Sequence, residues 1–98
     1  MPLRDFEIGT LQLLSFLYEQ KDYAANRSVI KKNVDVSTET IYQAIEVLQK
    51  NGLLDEVAMS NMSQERRIFL TEKGIAAAKK LSEIREIIKA VEKEFRRE

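Results

Sequence analysis

Apolar residues between Ile8 and Lys21 recur at three- and four-residue spacing. Ile8, Leu11, Leu14, Leu17 and Tyr18 fall on one helical face. Leu13 and Phe16 widen that face, as a helix packed on two sides requires. The pattern predicts a first helix over residues 8–21. Asp22, Tyr23, Ala24 and Ala25 break it, and Tyr23 with its neighbours can pair as a brief strand. Asn26 is suited to cap a short helix from Arg27 to Asn33, because its side-chain oxygen can accept from the N–H groups ahead. In that helix Val29 and Ile30 are expected inward, with Lys31 and Lys32 outward. Asp35-Val36-Ser37 makes a turn, and Ser37 caps the next helix, in which Ile41, Ala44, Ile45 and Leu48 share one face. Gly52 closes that helix in the left-handed position after the last turn.

Beyond Gly52 the period changes. Residues 53–58 and 66–70 read as two strands around the polar segment Met59-Ser60-Asn61-Met62-Ser63-Gln64-Glu65, which predicts a hairpin with a long tip. Thr71 then caps a last helix reaching about Arg96, and Glu72 in its first turn suits the helix dipole. Ala77, Leu81, Ile84, Ile88, Val91 and Phe95 alternate four and three apart, with Ile87 beside them, which is a heptad seam. At 1.5 Å per residue such a helix is about 40 Å long and outruns a small core. Its far apolar side chains would be bare in a lone chain, and bare apolar surface of that size marks an interface. The expected dimer interface is Leu81, Ile84, Ile87, Ile88, Val91 and Phe95, with parallel and antiparallel pairing both open. The fold class expected is mainly α with a small β-hairpin (α+β). Residues 1–75 form the domain and residues 76–98 the C-terminal dimerisation element.

Composition narrows the function. The chain has 98 residues, enough for one core. It has no cysteine and no histidine, so disulfides, thiolate metal sites and the commonest general base are excluded. The acidic pairs Asp55–Glu56 and Glu19–Asp22 lie among polar neighbours, so they read as solvated side chains and no catalytic site is expected. No cofactor or metal is implied, and the chain is not expected to be an enzyme. No apolar run approaches the roughly 20 residues needed to cross a bilayer. The opening Met1-Pro2-Leu3-Arg4-Asp5 lacks the pattern of a signal peptide, so a cytoplasmic protein is expected. Lysine plus arginine and aspartate plus glutamate both number 16, giving no net charge. Residues 1–26 carry two basic and four acidic side chains, residues 27–67 six of each, and residues 68–98 eight basic and six acidic. Any affinity for a polyanion must therefore come from a local patch.

The order of elements is helix, brief strand, helix, turn, capped helix, strand, polar loop, strand, helix. Over about residues 8–78 it resembles the winged helix-turn-helix fold. Three stretches carry the resemblance: Val34 to Leu48, Leu48-Gln49-Lys50-Asn51-Gly52-Leu53-Leu54, and Ile68-Phe69-Leu70-Thr71-Glu72-Lys73-Gly74. The last two are similar to the Leu-x-x-x-Gly-Leu/Ile and Leu-Thr-x-x-Gly segments that bracket the wing in regulators of the MarR and PadR types. The resemblance implies a transcriptional regulator that binds double-stranded DNA as a homodimer. Its recognition helix would be about residues 38–50 and its wing about residues 57–68.

The chemistry of those segments agrees. A recognition helix needs an apolar stripe to seat it and a small-polar face to enter the major groove. Opposite Ile41, Ala44, Ile45 and Leu48 lie Thr38, Glu39, Tyr42, Gln43 and Glu46. Gln43 can bond adenine through two hydrogen bonds, and Ser37, Thr38 and Thr40 lie at the helix start where backbone N–H groups attract phosphate. Arg27, Lys31 and Lys32 precede the turn and can hold the DNA backbone. Asn61, Gln64, Arg66 and Arg67 in the wing can reach a phosphate or the minor groove. Glu39 and Glu46 would repel phosphates, and the wing is poor in cations, so few phosphate contacts per chain are expected. Met59 and Met62 are unusual for an exposed loop and could pack on a partner. Two other readings stand beside the regulator. One is an adaptor that docks proteins and never binds DNA, which the neutral charge fits. The other is an archaeal chromatin-type DNA-binding protein, which the scarcity of basic residues opposes because sequence-tolerant binding depends on phosphate contacts.

Overall fold

The computed structural model describes residues 5–58 and 66–96. The elements are α1 (Asp5–Tyr18), a short 3-10 turn (Lys21–Tyr23), β1 (Ala24–Asn26), α2 (Arg27–Asn33), α3 (Thr38–Lys50), β2 (Leu54–Ala58), β3 (Arg66–Leu70) and α4 (Glu72–Arg96). Helices dominate, and the strands form one small antiparallel sheet in the order β1-β3-β2. In β3, Ile68 and Leu70 alternate onto the buried face, opposite Glu56 and Leu54 of β2. Ala25 of β1 pairs with Ile68 from the other side. The sheet is therefore pinned to the core through its central strand.

All three predicted N-caps form. Asn26 Oδ1 accepts from Val29 N at 2.9 Å, and Ser37 Oγ accepts from Thr40 N at 3.2 Å. At the far end of α3, Gly52 takes φ +76°. Leu53 N then donates to Leu48 O at 2.9 Å and Gly52 N to Gln49 O at 3.1 Å, the paired bonds of a Schellman ending. Thr71 Oγ1 accepts from Gly74 N at 3.1 Å and starts α4.

The core draws on all four helices and on two strands of the sheet. It gathers Leu13, Leu14 and Leu17 from α1, Ile30 from α2, Ile41, Ala44, Ile45 and Leu48 from α3, Leu54, Ile68 and Leu70 from the sheet, and Ala78 from α4. Four expectations need correction. First, α1 ends at Tyr18, not Lys21. Glu19 N and Gln20 N reach back only three residues, to Phe16 O and Leu17 O, and Asp22 and Tyr23 then adopt left-handed φ of 58° and 54°. Second, the inward face of α1 centres on Leu13, Leu14 and Leu17, while Leu11 is 38% exposed. Third, Val29 is 37% exposed and Ile30 alone carries α2 into the core. Consecutive helical residues point about 100° apart, so so short a helix can seat only one of them. The second strand also begins one residue later than expected, at Leu54.

Past Leu81, which packs partly on the core, α4 leaves the domain. Ile84, Ile87, Ile88, Val91 and Phe95 are 52%, 65%, 58%, 60% and 80% exposed. No helix among the described residues is long and apolar enough to cross a membrane.

Candidate nucleic-acid interface

α3 is the most strongly two-sided element. Ile41, Ala44, Ile45 and Leu48 are all at most 3% exposed. Thr38, Glu39, Tyr42, Gln43 and Glu46 lie on the opposite, exposed side. Apolar burial on one face leaves this polar face no freedom to turn inward, so it is presented outward by a rigid element.

The cations expected to serve it are distributed unequally. Lys31 and Lys32 at the end of α2 are exposed, and Lys31 Nζ lies 4.9 Å from the centroid of the Tyr42 ring. Arg27 Cζ lies 5.1 Å from the same centroid. Both distances are within the range of a cation–π contact. Tyr42 is 39% exposed, and its phenol sits below the usual value of 10.0. Hydrogen bonding from Lys31 is the leading cause; desolvation opposes it, and the charges of Lys31 and Arg27 add to it.

Arg27 is already engaged. Its Nη2 donates to Glu56 Oε2 at 2.9 Å and Oε1 at 3.3 Å. The Glu56 side chain is only 13% exposed. Sequence reasoning missed this pair and treated Glu56 as solvated. The signal was available: Glu56 shares the strand face of the buried Leu54, and an acid there requires a basic partner. Arg67 in β3 faces Asp22 at 3.7 Å, a partner brought there by the left-handed backbone at residues 22–23. Lys50 pairs with Glu46 at 3.0 Å on the surface of α3.

Other expected contacts fall as follows. Ser37 and Thr38 are exposed at the start of α3, and Ser37 Oγ and Thr40 Oγ1 lie 2.8 Å apart within the cap. Thr40 is half-buried, its methyl group facing Gly9 of α1. Gln43 and Arg66 are exposed. Asn61 and Gln64, with Met59 and Met62, lie outside the described residues. The structure thus brings Arg27, Lys31 and Tyr42 together, and leaves Arg67 beside Asp22. Among the described residues no group of acidic side chains is placed to hold a metal ion.

No protein-family model matches the sequence, and a search of curated proteins found no relative. Solved structures do match. ZitR of Lactococcus lactis, in its C30AH42A apo form, superposes with a TM-score of 0.79 at 21% identity, covering 93% of this chain and 67% of that one. F-93 of SSV1 gives 0.70 at 26% identity, over 93% of this chain and 97% of that one. The transcriptional regulator homologue of Pyrococcus horikoshii OT3 gives 0.67 at 24% identity, over 84% and 81%. The order of elements and these likenesses establish the fold: the chain is a winged helix-turn-helix domain carrying a long C-terminal helix.

Proposed function

We propose that the protein is a DNA-binding transcriptional regulator acting as a homodimer. α3 enters the major groove, the β2–β3 wing rests on the flanking backbone or minor groove, and α4 joins two copies. The observation that carries this reading is the outward polar face of α3, with Thr38, Tyr42 and Gln43 exposed above a stripe seated in the core. Gln43 is assigned to a base edge, and Thr38 and Ser37 to a phosphate at the helix start. The likeness to a transcriptional regulator homologue supports the same class. Several cations near the interface are already paired within the chain, which predicts modest affinity per copy and a need for two copies on the duplex.

The test is a mobility shift with random-sequence duplex at low salt, followed by selection of preferred sites from a random library. Selected sites should be two-fold symmetric, because a homodimer presents two equivalent recognition helices. In a selected site Gln43→Ala is expected to relax discrimination at one base pair per half-site, and Arg67→Ala to weaken all sequences about equally. An absence of any shift at low salt would favour the adaptor, a reading that the zero net charge supports.

A further inference from the structure

A continuous run of polar contacts crosses the surface where β2, α2 and α3 meet. It starts at Glu56, passes through Arg27 to the Tyr42 ring, and ends at Lys31. Arg27 and Lys31 are one turn apart on α2, so both reach the same ring. Two cations gathered on one exposed phenol are more than packing requires.

We propose that the Lys31 ammonium and the Tyr42 hydroxyl form a clasp for one backbone phosphate of duplex DNA, and that Arg27, anchored by Glu56, positions the ring without touching the phosphate. The inference rests on the DNA-binding reading and assigns Tyr42 to the backbone, not to a base edge.

The chemistry of the donors decides this. A lysine ammonium has three donors, and Lys31 holds them beside the Tyr42 ring, 4.9 Å from its centroid, where they can meet an anion. The exposed phenol has its own O–H to donate, and the positive charge of Lys31 and Arg27 beside the ring strengthens that donor. An anionic oxygen is the partner such a pair attracts most strongly. Arg27 is less free to serve in the same way, because its Nη2 is committed to both oxygens of a largely buried carboxylate. Its Nε is turned inward and has no hydrogen-bond partner among the described residues. The guanidinium is thus held as a fixed shelf beside the ring. Glu39 lies three residues before Tyr42 on the same exposed face, and it limits the strength of the clasp without occupying it.

The experiment measures affinity for random-sequence duplex across a salt series. Lys31→Gln should lower the slope of log affinity against log salt by about one, the loss of one phosphate neutralisation. Tyr42→Phe removes one hydrogen bond and no charge, so binding should weaken about fivefold on every sequence with the slope unchanged. The double variant Arg27→Gln/Glu56→Gln keeps the net charge and leaves no lone buried ion. It should weaken binding several-fold with an unchanged slope. Without DNA, it should also raise the Tyr42 phenol midpoint, read by ultraviolet absorbance against Tyr42→Phe. An unmoved midpoint would show that Arg27 does not act on the ring and would remove its positioning role. Tyr42→Phe binding as tightly as the parent, or losing discrimination at one base pair only, would overturn the clasp. A slope falling by about one in the double variant would hand the phosphate to Arg27 and equally overturn it. If the parent itself never shifts duplex at low salt, the DNA-binding reading fails and takes the clasp with it. A parent that shifts beside an unaffected Tyr42→Phe removes the clasp alone.

Discussion

Gly74 and Gly52 show how differently two glycines of similar motifs are used. Gly74 has an ordinary helical backbone, but it sits against the Leu53 carbonyl, and a Cβ there would overlap that backbone oxygen outright. The Leu53 oxygen also accepts from Thr71 N at 3.1 Å, so it cannot simply move aside. Gly74→Ala is therefore expected to cost about 1–3 kcal/mol through overpacking, read as a lower urea midpoint with an unchanged slope. Gly52 has open space around its Cβ position but a φ of +76°. Gly52→Ala should cost about 1–2 kcal/mol, from backbone conformation alone. A Gly74→Ala protein as stable as the parent would show that the start of α4 can slide off the loop. The spacing of both glycines was legible in the sequence, as was the left-handed role of Gly52. The reason for Gly74 was not, because a close approach between residues 53 and 74 leaves no mark on the residues between them.

At the scale of elements, legibility followed how one-sided each helix is. α3 and α2 were bounded correctly because a capping Ser37 or Asn26 precedes each, and α3 carries a single apolar stripe. α1 has apolar side chains on nearly every face, from Ile8 to Tyr18, so periodicity alone could not say which face meets the core. β1 was legible only as a possible pairing near Tyr23, since three residues give no alternation to read. The start of α3 also carries two competing demands on one residue. Glu39 in its first turn favours the helix dipole, yet it lies on the face proposed to meet phosphates. Glu39→Gln should therefore destabilise the fold by about 0.3–1 kcal/mol while tightening low-salt binding to every duplex. Thermal melting and a salt series on the same variant check both signs. Looser binding would mean that Glu39 points away from the backbone, toward a base.

At the scale of the whole molecule, the outstanding feature is apolar surface without a cover. The chain is 57 Å along its longest axis and no more than 25 Å across the others. The exposed seam of α4 does not stand alone. Ile84 and Ile88 continue into an open groove with Leu11 and Phe16 of α1 and Leu81 of α4. Leu11, misplaced in the core by periodicity, thus belongs to the same apolar face as the heptad. A face that spans two helices is wider than a simple two-stranded seam, and zero net charge gives neighbouring chains no repulsion to overcome. Sedimentation should therefore give twice the chain mass, with a melting temperature that rises with protein concentration, as mass action requires of a folded dimer. Ile88→Glu places a charge in the middle of that face. Ile88 is 58% exposed in the single chain, so the variant should keep the helical content of the parent while sedimenting as one chain. Its melting should lose the concentration dependence, and its affinity for a two-fold symmetric duplex should fall far more than its affinity for a half-site. A parent that sediments as a single chain would leave five large apolar side chains of α4 in water, and would require some other partner to cover them.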